Sequence, residues 1–224
     1  MAKHFVITLD GPAGAGKSTV AKCLARRLDA SYLDTGAMYR ALTLKALRLK
    51  INLEDEKALT ELAKKTVIDF KEIPDKSLHV TLDGEDVEKA IRSAEVTNNT
   101  FYAARAAGVR EIMVGWQRAI AKRRSVITDG RDQGTVVFPQ ADYKFYLDAD
   151  FDERVRRRLK DLGDAGKNVD VDQLKKDMYD RDQKDFARKV GPLKKADDAI
   201  VIDSTGLKLE ETVEKVMKYI KVKS

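Results

Sequence analysis

Gly11-Pro12-Ala13-Gly14-Ala15-Gly16-Lys17-Ser18 follows the apolar run Phe5-Val6-Ile7-Thr8-Leu9 with only Asp10 between them. Beyond it Val20, Leu24 and Leu28 recur every four residues, with Ala21 and Ala25 beside them, the spacing of a helix with one buried stripe. The octet therefore satisfies G-x-x-x-x-G-K-[ST] between a buried strand and a helix, the context in which that pattern carries a mechanism. Its glycines let successive backbone N–H groups curl around a phosphate without Cβ clashes, and the helix N-terminus adds positive potential. Lys17 is expected to reach the outer phosphates and Ser18 to hold Mg²⁺. Gly11, Pro12, Ala13, Gly14, Ala15, Gly16, Lys17, Ser18 and Thr19 are thus read as an ATP-binding loop.

Strand and helix candidates alternate along the rest of the chain. Further strands are expected at 31–33, 126–128, 144–147 and 199–202, and helices at 37–49, 54–65, 94–123 with a break or bend near Gly108, and 209–220. Five strands separated mostly by helices imply an α/β fold of the P-loop type, a parallel sheet with helices on both faces. Between 66 and 92 the pattern changes. Val67-Ile68-Asp69-Phe70 and Leu78-His79-Val80-Thr81-Leu82 read as strands, and Asp83-Gly84 is a type I′ hairpin pair leading into Glu85-Asp86-Val87, which makes a small antiparallel insert. Residues 151–195 read as two helices joined by a mobile turn around Gly163 and Gly166.

The chain of 224 residues is long enough for one domain with inserts. A lone cysteine, Cys23, closes no disulfide within the chain, and His4 and His79 are too few for a Cys/His zinc cluster. No run approaches the roughly 18 apolar residues of a membrane span, and 5–9 is too short for a signal peptide. A soluble cytoplasmic protein is the expectation. The net charge of +6 is unevenly placed: residues 151–195 carry 14 Lys and Arg against 10 Asp and Glu. Such a basic balance suits nucleic acid, a membrane surface or a small polyanion.

Arg154, Arg157 and Arg158 share one helical face, as do Arg181, Asp185 and Arg188. A three-arginine face beside a phosphate loop fits a lid that closes over transferring phosphates. The strand at 126–128 ends in Asp129-Gly130-Arg131-Asp132, so Asp129 is placed for a metal and Arg131 for an anion at the carboxyl end of the sheet. Asp34-Thr35 and Arg40 follow the second strand to the same end. Cys23 and Trp116, on apolar stripes, read as packing residues, and no nucleophile elbow accompanies either histidine.

These motifs resemble the bacterial cytidylate kinases, P-loop nucleoside monophosphate kinases, over nearly the whole chain. The resemblance is carried by Gly-Pro-Ala-Gly-Ala-Gly-Lys-Ser-Thr at 11–19, Asp-Thr-Gly-Ala-Met-Tyr-Arg at 34–40, Glu-Val-Thr-Asn-Asn at 95–99 and Val-Arg-Glu at 109–111. It is carried most specifically by Asp-Gly-Arg-Asp-Gln-Gly-Thr-Val-Val-Phe-Pro at 129–139. It implies transfer of the ATP γ-phosphoryl group to CMP or dCMP, with Mg²⁺ alongside ATP and Ser18 and Asp129 as its ligands. Lys17, Arg131, Arg154, Arg157 and Arg158 would be catalytic. Thr35, Arg40, Phe101, Arg110, Arg131, Asp132, Arg181, Asp185 and Arg188 would bind CMP: Arg40, Arg110 and Arg131 its phosphate, Arg181 and Asp185 its sugar, Asp132 and Arg188 its base. The division implied is a core at about 1–65, 106–153 and 170–224, a monophosphate-binding insert at 66–105 and a lid at 154–169.

Two positions depart from the family pattern. Phe101 stands where a serine usually helps to read the base, and Gln133 where an aliphatic residue is usual. The expected partners are small-molecule substrates met by a monomer, without nucleic acid or membrane. Alternatives sharing the loop and lid are kinases of UMP, AMP or shikimate, and more distantly a nucleic-acid-binding P-loop protein. The latter would need a continuous basic stripe with exposed aromatics.

Overall fold

A computed structural model describes residues 4–73, 76, 78–164 and 169–221. The chain runs through β1 (Val6–Asp10), α1 (Lys17–Arg27), β2 (Ser31–Asp34), α2 (Thr35–Arg48) and α3 (Glu56–Lys64) into β3 (Ile68–Glu72), β4 (Leu78–Leu82) and β5 (Glu85–Asp86). After a short 3₁₀ turn at Ala90–Arg92 come α4 (Ala94–Arg105), α5 (Ala107–Ala121) and β6 (Val126–Gly130). A π-type turn at Gln133–Val137 then precedes β7 (Tyr143–Asp148), α6 (Phe151–Asp164), α7 (Val171–Phe186), β8 (Ile200–Asp203) and α8 (Leu209–Met217).

The expected five-stranded parallel sheet is present, in the order β2-β6-β1-β7-β8, and β3, β4 and β5 form a separate antiparallel sheet. Side chains alternate along each strand. Ile7 and Leu9 of β1 join Ile127, Phe145, Leu147 and Ile202 in a core closed by Val20, Leu24 and Ala25 of α1 and Val213 and Val216 of α8. Thr8 of β1 points the other way, where the Gln133–Val137 turn lies close: a Cβ on Gly134 would come within 3.1 Å of Thr8 Oγ1. A second core joins α2, α3, α4 and α5, with Trp116 packed at its edge. Cys23 packs against the first core, as its apolar stripe implied.

The insert follows its hairpin signal. Asp83 and Gly84 adopt φ of 50° and 86°, the left-handed pair that a type I′ turn requires. The expected break in the long helix lies two residues earlier than Gly108, at Ala106, whose ψ of 114° is extended. Gly108 serves instead for close packing, since a Cβ there would lie 2.6 Å from the Thr60 side chain of α3. Gly163 is within α6, and the turn expected around Gly166 falls at 165–168, outside the described residues.

Candidate active site

Parallel pairing sets the carboxyl ends of the strands side by side, with Asp34 of β2 opposite Asp129 of β6 and Asp10 of β1 opposite Gly130. A cleft of about 1060 Å³ opens at this end, lined by the loop from Ala13 to Thr19 and by side chains from α2, α4, β6, α6 and α7. Open α/β sheets offer ligand sites at this edge because the strand ends and helix N-termini converge there.

The loop leaves β1 through Gly11, whose φ of 144° lies over β7; a Cβ at that position would run into the carbonyl oxygen of Leu147. Lys17 folds back to donate from Nζ to the Pro12 carbonyl at 2.7 Å. Burial and the nearby positive charge of Arg131 lower its ammonium to about 7. A buried cation crowded by other cations is poised for an anionic ligand.

Beneath the loop, Asp10 accepts the N–H groups of Gln133 and Gly134 at 2.8 and 2.7 Å. Burial raises it to about 6 against the lowering effect of those two bonds. It joins the 129–137 segment to β1. Gln133 faces inward, accepting from Thr128 Oγ1 at 2.8 Å, so this residue belongs to the scaffold under the loop.

Asp129 accepts the Tyr32 hydroxyl at 2.9 Å, and its carboxyl is raised by burial and by the negative charge of Asp34. Thr35 uses its hydroxyl inwardly, donating to the Asp129 carbonyl at 2.8 Å. Arg40 reaches Thr97 Oγ1 at 2.7 Å, and burial lowers its guanidinium. Arg110 is paired with Asp132 in a nearly buried ion pair. Gly191, at φ +60°, passes directly over this pair, where a side chain would collide with the guanidinium. Arg131 and Arg188 both pair with Asp185. Burial pushes Asp185 upward, yet the charges of Arg131 and Arg188 prevail and hold it below the usual carboxylate range. Arg181 lines the cleft, and desolvation there, with the positive charge of Arg131, lowers its guanidinium to about 10.

One cavity thus joins a phosphate loop to an array of arginines interleaved with carboxylates, and a sequence model described as cytidylate kinase matches residues 7–222. The chain belongs to the cytidylate kinase family. A cytidylate kinase of Desulforamulus reducens is 50% identical over 220 residues, spanning 98% of each chain. One from a Geobacillus species is also 50% identical over 220 residues and 98% of each chain. One from Clostridioides difficile is 46% identical over 217 residues, 97% of this chain and 98% of its own. In fold alone, the crystal structure of an uncharacterized protein from Eubacterium ventriosum is similar, with a TM-score of 0.54 at 14% identity over 97% of this chain and 98% of that one.

Cytidylate kinases are ATP-dependent phosphotransferases, as the motifs at 11–19 and 129–139 implied, and in this chain most of the anticipated residues meet in the one cleft. Thr35, Arg40, Phe101, Arg110, Asp129, Arg131, Asp132, Arg181, Asp185 and Arg188 all line it. The arginine face of α6 divides. Arg158 is exposed and lines the cleft, and Arg157 lines it while donating to the Ser204 hydroxyl at 3.0 Å and the Ser204 carbonyl at 2.6 Å. Arg154 is drawn away from the cleft into a buried pair with Asp182. Helical spacing put the three together, and neighbouring carboxylates and carbonyls separated them.

Arg92 and Lys184 line the cleft without having stood out in the sequence. Arg92, in the 3₁₀ turn, pairs with Glu88 and lies 3.4 Å from Asp34; a single short turn offers no periodicity to mark it. Lys184 Nζ lies 5.8 Å from the Phe101 ring centroid. Its i, i+3 relation to Arg181 on α7 was the available signal; Arg188, expected on the same face, lies beyond the end of this helix at Phe186.

Proposed function

We propose that this chain catalyses ATP + CMP (or dCMP) → ADP + CDP (or dCDP), with ATP on the loop from Gly11 to Thr19 and the acceptor among the arginines across the cleft. The observation that carries this reading is the concentration of Arg40, Arg110, Arg131, Arg181 and Arg188 opposite Lys17 in one cavity. In the reaction an oxygen of the acceptor phosphate attacks the γ-phosphorus, the bond to the β–γ bridging oxygen breaks, and ADP leaves. The attacking oxygen is already anionic at neutral pH, so no side chain need remove a proton. The difficulty is repulsion between two polyanions, which grows in a dry, low-dielectric site. Lys17, Arg131, Arg157 and Arg158 answer it with fixed positive charge, and the loop and acceptor arginines hold the reactants in line.

Mg²⁺ fits the donor set, because this ion favours oxygen ligands and commonly keeps waters while bound by one or two carboxylates and substrate phosphates. Ser18 Oγ, in the first turn of α1, and Asp129, with one oxygen on Tyr32 and its carboxyl raised by burial, would hold it. When bound, the ion would neutralise charge on the β- and γ-phosphates.

Arg181 and Asp185 are proposed to hold the sugar, and Asp132 and Arg188 the base, with Phe101 as an apolar wall. Thr35, tied to the Asp129 carbonyl, shapes the floor of this subsite. The core is assigned to about 1–65, 106–153 and 170–224, the acceptor-covering insert to 66–105 and the lid to 154–169. The enzyme is proposed to act as a monomer on its small-molecule substrates, and the solubility of both substrates supports a cytoplasmic location. No helix among the described residues is long and apolar enough to cross a membrane. An ADP-release assay with CMP, dCMP, UMP, AMP and shikimate tests the reading: the largest kcat/KM is expected with CMP or dCMP, and preference for AMP or shikimate would overturn it.

A further inference from the structure

The tip of the phosphate loop is gripped from its outer side by an ion pair that takes no part in lining the cleft. Asp182, on α7, accepts the N–H of Ala13 at Oδ1 over 3.3 Å and receives Arg154 Nη1 at Oδ2 over 2.6 Å. The same Nη1 donates to the Ala13 carbonyl at 2.9 Å, and Arg154 Nε donates to the Ala149 carbonyl at 3.1 Å. Both backbone polar groups of one loop residue are therefore committed to one pair, whose side chains are only 9% and 7% exposed. Packing reinforces the grip. A Cβ on Gly14 would sit 3.0 Å from Arg154 Cβ and 3.2 Å from Met178 Cε of α7, so the loop, α6 and α7 meet without slack.

Ala13 is set apart from the loop residues that follow it. The N–H groups of Gly14, Ala15 and Gly16 have no hydrogen-bond partner among the described residues, whereas that of Ala13 is turned outward to Asp182. A loop that binds phosphate through a curl of amides depends on the dihedral angles of each residue in the curl. Anchoring Ala13 at both its N–H and its carbonyl fixes where that curl begins. The helix that carries the anchor also carries residues of the acceptor side, because Arg181 and Asp185 flank Asp182 and Asp185 holds Arg131 Nε at 2.6 Å. One helix thus relates the position of the donor loop to that of the acceptor arginines.

We propose that Asp182, together with Arg154, is a positioning residue that holds the phosphate loop in its ATP-binding conformation. The proposal rests on the reading of the loop as the ATP site. Neither residue touches the reactants: the pair sets the direction of the loop amides, and misdirected amides weaken ATP and misalign its γ-phosphate.

The test compares wild type with Asp182→Asn, Asp182→Ala, Arg154→Met and the double variant Arg154→Met/Asp182→Asn. It measures ATP binding by calorimetry without acceptor, KM for ATP and for CMP, and thermal melting. Asp182→Ala and Arg154→Met are expected to raise the Kd and KM for ATP by about tenfold or more while KM for CMP stays within about threefold. Asp182→Asn, which keeps an oxygen for the Ala13 N–H, is expected to fall between them and wild type. The double variant should be no worse than Arg154→Met alone, because groups that act as a unit are not additive. If Asp182→Ala does not fold, Asp182→Asn and the double variant carry the test, since the latter buries no unpaired charge. ATP binding within threefold of wild type in Asp182→Asn and in the double variant would overturn this proposal alone. Parallel rises in both KM values would also overturn it, by reducing the pair to a general structural role. A wild-type chain that fails to bind ATP would overturn the ATP reading and this proposal with it.

Discussion

Arg131 donates through Nε to Asp185 Oδ2 at 2.6 Å, and the other oxygen of that carboxylate pairs with Arg188. The cleft therefore holds internal counter-ions for the arginines assigned to the acceptor. An incoming phosphate competes with or joins Asp185 for Arg131, so these charges are never left bare in a site of low dielectric.

Arg131→Ala is expected to lower kcat/KM for CMP by roughly 10² to 10³, the usual scale for removing one charge-stabilising donor. The effect on stability should be small by comparison, because Asp185 keeps Arg188 as a partner. Steady-state kinetics with a melting curve on the same preparation measure both. Near-normal turnover would remove Arg131 from the reaction.

Lys17 predicts a proton linkage. Burial and Arg131 lower its ammonium to about 7, well under its value in the unfolded chain. At pH 7 to 10 the unfolded chain thus binds a proton that the folded, ligand-free protein lacks, and this group's contribution to stability rises with pH across that window. ATP reverses the preference by supplying negative charge. Above pH 7 binding should therefore take up protons, with the uptake growing as the pH rises past the lowered value. Calorimetry in two buffers of different ionisation enthalpy reads the uptake. Lys17→Met should abolish it and lower turnover by at least about 10²; uptake that survives the substitution would assign the proton elsewhere.

Arg154 and Arg158 lie one helical turn apart on α6 and are expected to fail differently. Arg158→Ala, at an exposed position lining the cleft, should reduce kcat by about 10- to 100-fold with little change in melting temperature. Arg154→Ala leaves Asp182 buried without its partner, a loss on the order of 3 to 5 kcal/mol in stability. Chemical denaturation with turnover assays separates the two. Equal stability losses would contradict the division of this face.

Phe101 bears on the choice between pyrimidines. Its ring lines the cleft with Lys184 Nζ at 5.8 Å, and neither group accepts a hydrogen bond from the cytosine amino group. Discrimination of CMP from UMP then falls on Asp132, which is engaged with Arg110. UMP is expected to be used within about 100-fold of CMP, whereas strong hydrogen-bonded readout reaches 10⁴ or more. Assays of CMP and UMP at matched concentrations decide this, and a ratio above 10⁴ would refute it.

Several features were legible because neighbouring residues alone produce them. The phosphate loop is a local curl needing glycines at set intervals, and Gly14 and Gly16 adopt φ of 79° and 87°. Asp83-Gly84 closes its hairpin for the same reason. Alternating strands and helices led to the parallel sheet, since a parallel connection needs a crossover. Arg92 was invisible because one 3₁₀ turn carries no period, and the helix break was displaced to Ala106 because close packing, not bending, requires the glycine at 108.

The sequence by itself determined that this chain folds around a phosphate-binding loop and carries its basic residues near strand ends and along two helices, although α7 stops at Phe186 and leaves Arg188 past its end. Only the tertiary structure decided which of those cations face the cleft. Arg154, Arg157 and Arg158 have the same charge and nearly the same direction along α6, yet Arg154 is spent on Asp182 and the loop backbone, Arg157 is partly spent on Ser204, and Arg158 faces the cleft. Helical spacing sets where a side chain starts. Its availability depends on carboxylates and carbonyls brought close from α7 and the β8–α8 connection, and long-range packing alone creates those contacts.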